Sequence, residues 1–150
     1  MRTSVVAAVF AASIVVLAGC GQPAANTAEK EDPATVTEVE GQEQLHRITL
    51  TERAARRLGI ETAEVDGAPG STFRTRVPYS AIIYDAQGEA WMYVVDGAPL
   101  VFIREPVTIV EIVSDAAGDY AVLSRGPAAG TSIVSVGVAE LFGTEFEVGH

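Results

Sequence analysis

The stretch "VPYSAIIYDAQGEAWMYVV", Val77 to Val95, reads as two apolar strands around a polar turn at Asp85–Gly88. Short apolar runs bounded by Asp, Gly and Pro are the signature of strands joined by turns. Within it Trp91, Tyr93 and Val95 share one strand face and Met92 and Val94 the other. A strand apolar on both faces belongs in the middle of a sheet, so this hairpin places the core.

Working outward, the same texture continues to Val136. Strands are expected near Phe73–Arg76, Ala81–Tyr84, Trp91–Val95, Leu100–Arg104, Val107–Val113, Tyr120–Leu123 and Thr131–Val136, with turns at Asp96–Pro99, Ser114–Asp119 and Arg125–Gly130. Pro106 has no amide hydrogen to give a ladder, which predicts an edge position or a bulge. Upstream, "ITLTERAARRLGIETAEV" predicts a two-turn helix over Glu52–Leu58, with Thr49 and Glu52 at capping-box spacing and Gly59 as its C-terminal cap. The fold class expected is mostly β: a small antiparallel roll or barrel with one short helix, over residues 45–143, with residues 144–150 as a tail.

Before residue 45 the composition changes. "GQPAANTAEKEDPATVTEVEGQEQ", Gly21 to Gln44, contains no aromatic residue and two Val, too little apolar surface to fold alone, and residues 20–44 read as a tether. Ahead of it, Arg2 precedes an apolar run from Val5 to Leu17 that is too short to span a bilayer and ends in Leu17-Ala18-Gly19-Cys20. Leu-Ala-Gly-Cys resembles the bacterial lipobox. Residues 1–19 are then a lipoprotein signal peptide, and Cys20 carries a covalent diacylglycerol at the new amino terminus. Cys20 is the only cysteine, so no internal disulfide can form, and lipidation would protect its thiol from oxidation. Two or more acyl chains, at about 0.8 kcal/mol per buried CH₂, hold a protein durably on a membrane. The expected localisation is extracytoplasmic, anchored to the cell membrane.

Charge narrows the partners. The chain has 10 basic and 20 acidic residues, a net charge of −10, and loss of Arg2 with the signal makes it more acidic still. Nucleic acid is disfavoured, because phosphates demand clusters of Lys and Arg. No nucleophile–base pair can be assembled from the two histidines, His46 beside the tether and His150 at the last position, and no enzyme activity or catalytic residue is expected. "GPAAGTS", Gly126 to Ser132, lacks the lysine of a phosphate loop, and "SDAAGDY" lacks the alternate ligands of a calcium loop. Two distant histidines, two methionines and an acylated cysteine make a poor ligand set, so no metal or other cofactor is expected beyond the lipid on Cys20. Possible partner contacts are the one positive patch, Arg53, Arg56 and Arg57, and the aromatic pair Trp91 and Tyr93.

Several of these segments resemble the periplasmic adaptor family, the membrane fusion proteins of tripartite efflux and secretion systems. "ITLTERAARRLGIETAEV" is similar to the stretch with which adaptors enter their core. "VPYSAIIYDAQGEAWMYVVDG" is similar to the start of their membrane-proximal domain, and "REPVTI" and "LSRGPAAGTSIVSVG" to its later strands and its Gly and Val spacings. Pro127 stands where that pattern has its second Leu. Adaptors interpose a lipoyl-like domain, a helical hairpin and a β-barrel where this chain has only the loop between Val65 and Val77, and the chain has no heptads for such a hairpin. The resemblance therefore implies a membrane-proximal module closed on itself, acting as a non-catalytic docking or accessory subunit of an efflux-type permease. The alternative is a ligand-binding lipoprotein for a metal ion or a small apolar molecule, with Trp91 and Tyr93 at the pocket.

Overall fold

In the computed structural model, which describes residues 31–71 and 74–147 (residue 147 by its backbone alone), most of the expected strands are present, but the first arm of the Val77–Val95 hairpin is not one strand. Val77 and Pro78 pair with Ala121 and Tyr120, Tyr79–Ala81 form a 3-10 helix, and Ile83 and Tyr84 pair with Trp91 and Ala90. The signal peptide, Cys20, the first part of the tether, Phe73 and His150 lie outside the described residues. Eleven strands are described: β1 (Ala34–Val39), β2 (Gln42–Leu50), β3 (Glu61–Glu64), β4 (Asp66–Gly67), β5 (Thr75–Pro78), β6 (Ile83–Tyr84), β7 (Ala90–Val95), β8 (Val101–Pro106), β9 (Thr108–Asp115), β10 (Gly118–Arg125) and β11 (Ser132–Val136). Two helices join them, α1 (Glu52–Leu58) and α2 (Val138–Glu147).

The strands form two antiparallel sheets. The first runs β1-β2-β8-β7-β11-β3, with β6 paired to β7, and the second runs β4-β5-β10-β9. Neither closes on itself, so the mostly-β expectation holds in its open, layered form and not as a barrel. β7 is central, as its two apolar faces require. Tyr93 packs on one side with Ile48, Phe102, Val134 and Leu141, beneath the two helices. Met92 and Val94 pack on the other with Ile133 of the same sheet and with Val77, Ala121 and Leu123 from the second sheet. The layers are thus helices, first sheet, second sheet.

Expectations at the two ends of the domain and at the helix cap also need correction. The tether does not extend to residue 44, because β1 and β2 pair from Ala34↔Leu50 to Val39↔Gln42 around a two-residue turn at Glu40 and Gly41. β1 is an edge strand that buries little beyond Ala34, so its composition is as polar as a linker's. The tail at 144–150 is helical through Glu147, giving a second helix whose apolar stripe covers the first sheet. Helix α1 is capped by Thr51, whose Oγ1 accepts from the Ala54 amide at 3.2 Å, and not by Thr49; Gly59 closes it at φ 66°, as read.

Pro106 holds an edge position, as its missing amide hydrogen requires, because β2 pairs with β8 only from Val101 to Ile103 and leaves Pro106 paired on the β7 side alone. It ends β8 opposite Trp91, and Val107, whose amide donates to the Ala90 carbonyl at 2.9 Å, leads the chain into the second sheet. The bulge sits three residues on. Leu123 pairs with Ile109 and Val122 with Glu111, leaving Val110 unmatched in β9.

Candidate functional site

Strand register builds the most unusual feature of the molecule. Tyr93 on β7 pairs with Arg104 on β8, and His46 precedes the Arg47↔Ile103 pair on β2, so His46, Arg104 and Tyr93 form a row across one sheet face. Glu145 reaches down from α2 onto that row. Its Oε1 accepts from Arg104 Nε at 2.9 Å and from His46 Nδ1 at 3.1 Å, and its Oε2 accepts from the Tyr93 hydroxyl. A carboxylate has no proton to give, so the contact places the imidazole hydrogen on Nδ1. Arg104 Nη2 also donates to the Gln44 carbonyl at 2.8 Å.

Arg104 and Glu145 are 7% and 3% exposed, deep enough that neither charge would be tolerated without the other. The guanidinium lies 4.5 Å from the Trp91 ring and 5.1 Å from the Phe146 ring, clamped between aromatic faces. Burial, and then the bond to Glu145, push the Tyr93 phenol far above its ordinary range. It stays a donor at every physiological pH.

Beside this row the hairpin turn holds a second carboxylate. Asp85 Oδ1 accepts from the amides of Gln87 and Glu89, both at 2.9 Å, and Oδ2 accepts from Trp91 Nε1 at 2.9 Å. Desolvation works against the Asp85 charge, but these donors, with Arg104 nearby, hold its carboxyl below the ordinary value. A cleft of about 710 Å³ opens over the row, walled by Trp91, Phe142 and Phe146 and rimmed by Asp85, Gln87 and Glu89. That volume lies in the range of small-molecule sites.

The second sheet offers a surface of another kind. β9 pairs only with β10, and among the described residues its other side meets no strand. Val110 and Ile112 on it are 46% and 53% exposed.

Of the sequence-predicted contacts, Arg53, Arg56 and Arg57 are exposed on α1, with Arg56 paired to Glu52 at 3.4 Å. Trp91 is partly buried and faces the cleft. Tyr93 is fully buried beneath α2, so it offers no surface to a partner or ligand and must be withdrawn from that list. Among the described residues no group of three or more His, Cys, Asp or Glu stands together to hold a metal, and no helix is long and apolar enough to cross a membrane.

Sequence reasoning missed Arg104, Glu145, Phe142 and Phe146, and read His46 only as a distant base. The signal was present: Val138, Leu141, Phe142, Glu145 and Phe146 recur at helical spacing, placing one acid within an apolar stripe. Such an acid needs a buried cation, and Arg104 shares the apolar face of Phe102.

No protein-family model, no curated protein and no solved structure matches this chain. The likeness to the periplasmic adaptors rests on the quoted motifs.

Proposed function

We propose that the chain is a lipid-anchored, extracytoplasmic and non-catalytic docking module seated beside a transporter permease. The observation that carries this reading is the free edge of β9. Exposed strand edges are usually blunted by lysine, proline or bulges, because unpaired backbone groups invite another strand; β9 has the bulge at Val110 but neither lysine nor proline. From Thr108 to Ser114 this edge offers Val110 and Ile112, with Glu111 as its single charge. Its occupant is an extended segment of the permease with apolar side chains and a basic residue opposite Glu111, added as a further strand. A second copy of the chain is a poorer occupant, since pairing brings like charges together on two acidic bodies. The lipobox at Cys20 supports the same reading by holding the module against the bilayer in which a permease sits.

The test is a crosslinking pulldown from native membranes with a C-terminal tag, comparing the unaltered chain with Cys20→Ala and Ile112→Lys. Recovery of one permease, weakened by either substitution, supports the reading. Membranes that retain the lipidated protein yet yield no permease refute it.

A further inference from the structure

The cleft over Arg104 stands on the other face of the molecule's first sheet from β9 and does not depend on the docking reading. Its floor and rim carry distinct chemistry. The Arg104 side chain is 8% exposed, yet among the described residues only Nε and Nη2 have protein partners. Nη1 is not among the buried polar atoms left without a partner, so it is at least partly open to solvent, and Arg104 lines both this cleft and a smaller one bounded by Val39 and Gly126. A clamped guanidinium with one donor open is preorganised for an acceptor oxygen.

Charge then sets the sign of the ligand. Glu145 already neutralises Arg104, while Asp85 and Glu89 have no ion-pair partner among the described residues. Asp85 spends three acceptor positions on N–H groups and has one left on Oδ2; Glu89 is exposed at the rim. With Glu145 counted beneath the floor, the site sums to a negative value whichever charge His46 carries. Free acceptor capacity at the rim calls for an ammonium group, and the Phe142 and Phe146 side chains in the lining favour an aromatic body.

We infer that this cleft binds a small aromatic molecule carrying an ammonium group, which meets Asp85 and Glu89, and an acceptor oxygen, which meets Arg104 Nη1. The chain contains one tryptophan, and it is Trp91 in the wall, so tryptophan fluorescence, excited selectively over the four tyrosines, reports on the surroundings of this site. The full chain, purified in mild detergent, is titrated with para-(aminomethyl)benzamide, benzylamine and benzoate. The expected result is a saturable fluorescence change with the aminomethylbenzamide, binding about tenfold weaker for benzylamine, which lacks the acceptor, and no saturation with benzoate. Glu89→Gln, an exposed change that leaves the fold intact, should weaken the aminomethylbenzamide about fivefold, in line with a partly screened ion contact. No saturable change with the aminomethylbenzamide would overturn the site, as would benzoate binding as tightly, or an affinity unmoved by Glu89→Gln. Equal affinity for benzylamine would overturn the role given to Arg104.

Discussion

Glu145 is the residue on which the interior turns. Removing it leaves the Arg104 charge buried and the Tyr93 hydroxyl and His46 Nδ1 without an acceptor. Glu145→Ala should therefore cost about 3–5 kcal/mol, the range for breaking one side of a buried pair. The triple replacement Arg104→Met, Glu145→Leu and Tyr93→Phe should recover most of that loss, because an apolar set of similar volume needs no desolvation and leaves no buried hydroxyl unpaired. Urea denaturation of the two variants against the unaltered chain measures both. If the single variant matches the parent, the network contributes nothing and the packing of α2 must rest on its apolar residues.

Tyr93 adds a dependence on pH. Its folded value is raised above the ordinary 10.0, so the native state holds the phenol proton more tightly than the unfolded chain. That contribution is complete below pH 10 and is lost as pH rises beyond it. Stability should fall above pH 10 in the parent and fall less steeply in Tyr93→Phe, followed by thermal melts across the alkaline range. The sign is opposite for Asp85 and Asp115, which lie below the ordinary 3.8. Asp85 is held down by its N–H donors against desolvation. Asp115 is held down by the Ala117 amide first and then by Arg76. Their contribution is present above pH 3.8 and disappears as pH falls further.

Among the elements, α2 depends on one glycine. Gly137 precedes it at φ +83°, and a Cβ there would sit 2.6 Å from Ile60 Cδ1 and 3.1 Å from the Leu58 carbonyl. Gly137→Ala should cost about 2–3 kcal/mol through overpacking and left-handed strain. Gly59 shares the left-handed conformation, at φ +66°, but a Cβ there meets nothing within 4 Å. Gly59→Ala should cost about 1 kcal/mol, and comparing the two melting midpoints separates crowding from conformation.

The elements also show what a sequence can and cannot disclose. β7 was legible because its apolar faces specify a central strand without knowledge of its neighbours. α1 was legible because a short run of good helix formers ends in a glycine. β1 was not, since an edge strand with little buried surface has a linker's composition. α2 was missed for a different reason: Gly143 lowers the helix propensity of the segment and Glu145 interrupts its apolar stripe, and only the position of Arg104 in space explains the acid. The cleft was half legible. Trp91 was singled out, but its clamp is assembled from β2, β8 and α2 by register, and register is a long-range property.

Over the whole molecule, two layers of sheet and one of helices leave two unlike surfaces. The helix-covered face carries a charged, aromatic cleft suited to a small molecule. The second sheet carries an apolar edge suited to a strand. Ile112→Lys should weaken the proposed strand docking at little cost to stability, because the side chain is already 53% exposed. Pulldown yield together with melting midpoint checks this, and a large drop in midpoint would show that Ile112 is part of the core.

The most direct test of docking at β9 is site-specific photocrosslinking in native membranes, with the reactive residue placed at position 112 in one full-length chain and at position 53, on the positive patch of α1, in another. Docking by strand addition predicts a permease captured from position 112 and not from position 53. Capture from position 53 alone, or from neither, would contradict it.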